Sequence, residues 1–251
     1  MKAMVLAAGL GTRLRPLTDD RPKALVEVAG RTLLEITLSR LRSFGVRDVI
    51  VNTHHFADMV AEYLGRKGNF GMRIEISREE VLLDTGGGLK KAAWFFLDDS
   101  RAATAAEEPF LLHNVDVIST IDFERIVKFH QEENALATLA VQDRETSRYL
   151  IFDEKGQLCG RQSGVQAPEM TRPCDPTRAL AFSGVHVISS RFLSLLSEEG
   201  AFSIIQPYLR LAGRGEKIVA FRADEFYWRD LGRLENVTQA TNDVKQHVVR
   251  L

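Results

Sequence analysis

The feature that most constrains this chain is the alternation of short, wholly apolar runs with longer segments of helical period. Residues 2–7 (after the opening Lys2), 49–51 and 110–112 are continuous apolar runs, the pattern of strands covered on both faces. Residues 32–44 place Leu33, Leu34, Ile36, Thr37, Leu38, Leu41 and Phe44 near helical period, and Gly45 supplies the stop. Residues 56–64, 88–97 and 121–131 read as further helices, and 72–76 and 135–141 as strands. Such an order predicts an α/β fold, a Rossmann-like three-layer sandwich with a mostly parallel central sheet.

From about residue 149 the rhythm changes. Residues 149–152 and 157–159 flank the turn Asp153-Glu154-Lys155-Gly156 and predict a hairpin, the start of a small second subdomain. Residues 162–178 are polar, hold three prolines and read as an irregular insertion. A strand is expected at 181–188, a helix at 204–212, strands at 217–221 and 226–229, and a closing helix at 234–248. With no repeat or linker, all 251 residues are read as one domain, divided near residue 145.

Charge and cysteine content exclude several classes. Lys+Arg 33 against Asp+Glu 34 leaves −1, so no global basic field recruits nucleic acid and any anion site must be local. Two cysteines, Cys159 and Cys174, rule out a disulfide scaffold and a Cys-rich zinc module. No apolar run reaches the ~18 residues that a bilayer-spanning helix needs. Glycines and Arg13 interrupt the apolar N-terminus too early for a signal peptide. The expectation is a cytoplasmic protein with reduced, inert thiols and no membrane partner; oligomeric state is left open.

Ligands of parallel α/β sheets bind beyond the carboxyl ends of the strands. That points to residues 8–15, 52–55, 114–116 and 230–232. In Ala7-Ala8-Gly9-Leu10-Gly11-Thr12-Arg13-Leu14-Arg15, small residues let backbone N–H groups approach an oxyanion, and Arg13 and Arg15 add charge. The loop is not a dinucleotide fingerprint: Leu14 stands at the third glycine position and Pro16 breaks the helix start. Nor is it a P-loop, which needs Gly-Lys-Ser/Thr. Pro22 fixes the approach of Lys23, a compact cation suited to phosphates. Taken singly, each has a plainer reading. The loop is then a tight turn, Lys23 a solvated lysine, and Asp116 and Asp230 turn or cap residues. Their ordered occurrence outweighs those readings.

The segments 6–18, Arg21-Pro22-Lys23-Ala24-Leu25-Val26 and 28–34 resemble the signature of sugar-1-phosphate nucleotidylyltransferases. Leu83-Asp84-Thr85-Gly86-Gly87-Gly88 resembles that family's nucleotide-base loop, His113-Asn114-Val115-Asp116 its strand-end metal aspartate, Phe182-Ser183-Gly184-Val185-His186 its sugar-site strand, and Trp228-Arg229-Asp230-Leu231-Gly232 its second metal aspartate. The resemblance covers nearly the whole chain. It implies the nucleotide-diphospho-sugar transferase fold, with residues 1–145 serving the nucleotide and 146–251 the sugar and the closing helix. It implies that Ala8, Gly9, Gly86 and Gly87 hold the base, that Gly11, Thr12, Arg13 and Lys23 hold the triphosphate, and that Asn114 belongs to the nucleotide site. Arg13 and Lys23 would act catalytically, Gly184 would let the sugar approach, and Asp116 and Asp230 would hold magnesium. Val115 departs from the family's usual glycine before the first aspartate, which touches ribose contacts more than the metal.

Two polyanions must meet in such a reaction. A sugar-phosphate oxygen attacks the α-phosphorus of an NTP while pyrophosphate leaves. Carboxylates, substrate phosphates and waters are the usual partners of magnesium, and the sugar phosphate, already ionised, needs no general base. Compact length and the Thr-Gly-Gly-Gly loop make the chain most similar to N-acetylmuramate 1-phosphate uridylyltransferases using UTP. A mannose-1-phosphate guanylyltransferase-type enzyme using GTP is the alternative, and a catalytically silent nucleotide-sugar sensor the alternative of another class. Arg144 and Arg148 are candidates for the sugar side and His54-His55 for the nucleotide pocket. Tyr227 and Trp228 read as core aromatics, and His113, His186 and Asp84 have no zinc spacing.

Overall fold

A computed structural model describes residues 1–97 and 108–250. The order is β1 (Lys2–Leu6), β2 (Glu27–Val28), β3 (Arg31–Thr32), α1 (Leu33–Ser43), β4 (Asp48–Thr53), α2 (Ala57–Arg66), β5 (Arg73–Arg78), α3 (Asp84–Lys91) and α4 (Ala93–Leu97). There follow β6 (Phe110–Asn114), β7 (Val117–Ser119), α5 (Phe123–Glu132), β8 (Ala137–Gln142), β9 (Arg148–Phe152), β10 (Leu158–Ser163), β11 (Glu169–Met170) and β12 (Arg178–Ile188). The chain closes with α6 (Arg191–Ser194), α7 (Ile205–Gly213), β13 (Ile218–Arg222), β14 (Trp228–Asp230) and α8 (Leu234–Lys245).

Strands β6, β1, β4 and β5 lie side by side and parallel at the centre of the main sheet. Their apolar runs alternate faces. Ala3, Val5, Val49, Val51 and Leu111 enter one buried cluster with Leu34 and Leu38 of α1. Met4, Ile50, Phe110 and Leu112 enter the other with Leu89, Phe95 and Tyr208. Both faces are therefore covered, and the three-layer expectation holds.

Beyond β6 the sheet turns antiparallel through β12, which forks it. Residues Arg178–Ala181 pair with β9, whereas Val185–Ile188 pair with β6. Between the two lies Gly184 at φ 74, where the register against β8 also shifts. Neither β9 nor β6 pairs at the bulge, so a gap opens there at the carboxyl end of β6.

Several local expectations change. The helix expected at 88–97 is two helices, α3 and α4, and α3 begins at Asp84, drawing the Thr-Gly-Gly-Gly stretch into its first turns. The insertion at 162–178 is not wholly irregular, because β11 adds to β10. The cysteines expected to be free thiols are instead joined: Cys159 and Cys174 form a disulfide with Cα atoms 6.5 Å apart. The chain folds back beside β10, with Thr171 Oγ1 and the Arg172 guanidinium donating to the carbonyls of Cys159 and Leu158, and this brings together two cysteines whose spacing carries no signal. Among the described residues, no helix is long and apolar enough to cross a membrane.

Candidate functional site

The carboxyl ends of the central strands are stitched together before any side chain is considered. Ala7 N–H donates to Asn52 Oδ1 at 2.7 Å, and Val115 N–H donates to the Leu6 carbonyl at 3.1 Å. The loop from Ala8 to Arg13 rises from this platform. Gly11 is left-handed (φ 66), and a Cβ there would lie 2.9 Å from Thr18 Cγ2 and 3.2 Å from Lys23 Cβ. Thr18 Oγ1 donates to the Gly11 carbonyl at 2.8 Å and pins the turn. Gly9, Thr12 and Arg13 are exposed, and Arg13 lines the cleft described below. Arg15 does not join it; it pairs with Asp19 at 3.3 Å on the surface.

Asp116 and Asp230, 114 positions apart in sequence, meet through β7 and β14. These two short strands pair antiparallel with Asp230 opposite Val117, and Leu231 N–H donates to the Asp116 carbonyl at 2.7 Å. The position of β7 is itself held by Arg40 of α1, whose guanidinium donates to the carbonyls of Ser119 and Ile121. Burial lowers the Arg40 pKa to about 10, which still leaves it charged at neutral pH. Gly232 N–H donates to Asp230 Oδ1 at 2.9 Å, and a Cβ on Gly232 would lie 2.8 Å from that oxygen and 3.0 Å from Arg13 Nη2. A side chain at this position would therefore crowd both the Asp230 carboxylate and the Arg13 guanidinium.

Lys23 is buried, and its ammonium pairs with the Asp116 carboxylate. The cation expected to bridge phosphates therefore stands against one of the two carboxylates expected to hold a metal. Those two carboxylates suit magnesium, which takes hard oxygen donors from one or two carboxylates and completes its shell with phosphates and water. Among the described residues no group of three or more His, Cys, Asp or Glu side chains is placed to hold a metal ion, so none forms the fuller cage that zinc or calcium prefers.

Gly86 and Gly87 have a different setting from the base-reading loop expected of them. Both are buried, and their N–H groups donate to the Phe202 carbonyl at 2.9 and 3.2 Å. A Cβ on Gly86 would collide with the Phe202 ring, and one on Gly87 with the Gly200 carbonyl. The glycines let α3 approach residues 200–202. Gly88 is equally constrained, since a Cβ there would lie 2.7 Å from Glu79 Oε1 and 2.8 Å from Asn52 Nδ2. Glu79 is a residue that sequence reasoning missed. It is buried, accepts from Asn52 Nδ2 at 2.7 Å and from Leu83 N–H at 2.9 Å, and so ties β4 to the start of α3. In sequence it stands in Arg78-Glu79-Glu80, which reads as a solvated charged turn.

A cleft of about 770 Å³ runs from Arg13, Asn114 and Asp230 past the bulge at Gly184 to β9 and β10. A Cβ on Gly184 would lie 2.9 Å from Asn114 Nδ2 and 3.0 Å from Val117 Cγ2, so glycine is what lets β12 pass the end of β6. The bulge carbonyls are satisfied from the opposite wall. Arg144 Nη2 donates to the Phe182 carbonyl and Trp228 Nε1 to the Ser183 carbonyl, both at 2.8 Å. The Arg144 guanidinium stacks 3.6 Å over the Trp228 ring, and both line the cleft. Trp228, read from sequence as a core aromatic, is thus part of the wall.

Three histidines make contacts within the fold. Burial, with the nearby Arg40 charge, pushes His113 down to about 4, and burial pushes His186 down to about 3, its Nδ1 meeting the Tyr208 hydroxyl at 2.9 Å. His54 Nδ1 meets the Glu79 carbonyl at 2.8 Å. Val115 is buried in the core against α1 rather than along the cleft.

The fold agrees with what comparison with known proteins finds. The chain belongs to the nucleotidyl transferase family, whose pattern matches residues 2–247. N-acetylmuramate alpha-1-phosphate uridylyltransferase of Caulobacter vibrioides is 35% identical over 239 residues, 92% of this chain and 91% of that protein. Mannose-1-phosphate guanylyltransferase of Mycobacterium tuberculosis is 28% identical across 96% of this chain, but the chain spans only 64% of that longer protein. The crystal structure of HddC from Yersinia pseudotuberculosis complexed with GMP-PN shares the fold, with a TM-score of 0.75, 20% identity and coverage of 97% of this chain and 99% of that one.

Proposed function

We propose that this protein transfers a uridylyl group from UTP to N-acetylmuramate 1-phosphate, leaving a UDP-sugar and pyrophosphate. The observation that carries the reading is a continuous cleft that joins Arg13, Asn114 and Asp230 at one end to the opening at Gly184, with Lys23 and Asp116 paired beside it. The choice of UTP and of this sugar follows the Caulobacter relative, which matches over nearly the full length of both chains.

In this reading the backbone from Ala8 to Thr12, exposed at Gly9, Leu10 and Thr12, receives the nucleotide, and Asn114 lies toward its ribose. Arg13 and Lys23 offset the charge that two polyanions bring together, and they stabilise the pyrophosphate as it departs. Asp116 and Asp230 hold magnesium, which when bound supplies Lewis-acid polarisation of the α-phosphate. Gly184 leaves room for the sugar, whose phosphate oxygen bonds to the α-phosphorus as the bond to the β-phosphate breaks. Gly86 and Gly87 act indirectly, by seating α3 under the base site. Catalysis is then positioning and charge compensation, with no proton to remove.

A matrix of four NTPs against a panel of sugar 1-phosphates, read by pyrophosphate release, tests the proposal. UTP is expected to be used at least tenfold better than GTP, about 1.4 kcal/mol in transition-state binding. A preference for GTP with mannose 1-phosphate would overturn the substrate and leave the reaction class. Nucleotide binding without pyrophosphate release under any combination would replace the enzyme by a sensor.

A further inference from the structure

The sugar half of the cleft holds more cationic chemistry than a neutral hexose would use. In β9, Arg148 and Leu150 project to one face. Leu150 lies opposite Arg161 on β10 and Leu180 on β12, so Arg161 and, two residues beyond Leu180, Phe182 share that face. Arg148, Leu150, Arg161 and Phe182 all line the cleft. One step beyond the last β9–β12 pair, Tyr149 with Ala181, Arg148 draws level with Phe182. That is two residues from Gly184, or about 7 Å along the strand, within the span of an arginine side chain.

The other arginines of this half already have partners. Arg144 is spent on the Phe182 carbonyl and the Trp228 ring, and Arg161 pairs with Glu169 at 2.7 Å. Arg148 is exposed, and among the described residues no hydrogen bond or ion pair is made by its guanidinium. It also stands on the β9 side of the fork, away from Lys23 and Asp116 on the β1–β7 side. A planar guanidinium facing a sugar-sized gap, with its donors free, matches a carboxylate in a two-pronged contact.

We infer that the sugar 1-phosphate used here carries a carboxylate of its own, and that Arg148, with Arg161 behind it, is the specificity-determining residue that receives it. The inference rests on the sugar-phosphate reading of this cleft and goes further in assigning one residue to one substituent. N-acetylmuramate differs from N-acetylglucosamine by a lactyl ether that ends in such a carboxylate.

The test compares kcat/KM for N-acetylmuramate 1-phosphate and N-acetylglucosamine 1-phosphate, with UTP and magnesium, in the full-length wild type and in Arg148→Gln, Arg148→Lys and Arg148→Glu. The ratio of the two values is expected to fall at least tenfold in Arg148→Gln and further in Arg148→Glu, with partial recovery in Arg148→Lys. The change is expected in KM, because the carboxylate is remote from the reacting phosphorus. A ratio that stays within threefold of wild type, or a parallel loss on both sugars, would overturn the assignment. A wild type that rejects N-acetylmuramate 1-phosphate would sink the substrate proposed above but not this inference. Glucuronate 1-phosphate against glucose 1-phosphate then decides, and equal or poorer use of the carboxylated sugar overturns it.

Discussion

Replacing Lys23 by alanine separates two roles that the structure gives to one ammonium. The pair with Asp116 is largely shielded, with side chains 10% and 21% exposed. Breaking a fully buried pair by removing one partner costs about 3–5 kcal/mol. Asp116 keeps a fifth of its side chain in water, which rehydrates the stranded carboxylate and reduces the expected cost to about 1–2 kcal/mol. For a domain of this size that corresponds to a fall of roughly 2–8 °C in Tm. Magnesium should narrow the gap, because a cation at Asp116 replaces the missing one. The effect on rate is separate: losing one preorganised donor to the phosphates is expected to lower turnover by about 10²–10³. Thermal melts in chelator and in saturating magnesium, beside pyrophosphate release, read both. A Lys23→Ala protein that melts with wild type in chelator, or turns over within threefold of it, refutes the reasoning. If the Tm deficit is the same with and without magnesium, Lys23 and the metal do not share Asp116.

Asp230→Asn is expected to cut turnover by several hundredfold at saturating magnesium with an unchanged melting curve, since the side chain is half-buried at a strand end; near-normal pyrophosphate release would remove it from the metal site. Gly184→Ala places a Cβ against Asn114 and Val117 at φ 74, so urea unfolding should show a loss of about 1–3 kcal/mol together with a raised KM for the sugar phosphate; an unchanged urea midpoint would mean the bulge relaxes freely. Burial pushes His113 and His130 down to about 4 and His186 to about 3, so the unfolded chain takes up protons below its ordinary histidine pKa of about 6.5 while the folded chain does not. Their contribution is full above pH 6.5 and is lost as pH falls toward 4, by up to about 1.4 kcal/mol per histidine per pH unit; a urea midpoint that is flat between pH 7 and pH 5 would contradict this.

What the sequence determined by itself is the layer plan and the strand ends that border the cleft. A run such as residues 3–6 is apolar at every position because both faces of its strand are covered, and that requirement is local enough to read without coordinates. The same holds for the turn at Gly11 and for the α1 cap, where the Thr32 side chain accepts from Glu35 N–H at 3.1 Å. Tertiary structure alone decided which of these local features meet. Strands β7 and β14 are three residues each, too short to show any period, yet their pairing sets Asp230 beside Asp116. Lys23 and Asp116 stand 93 positions apart, and no spacing rule connects them. The glycines at 86–88 read as a ligand loop, but freedom from side chains serves close packing and ligand approach equally; only the neighbours, Phe202, Gly200 and Glu79, show the packing. Cys159 and Cys174 were equally silent, since whether two sulfurs bond depends on where an insertion folds back, a property of the surrounding fold and not of the residues themselves.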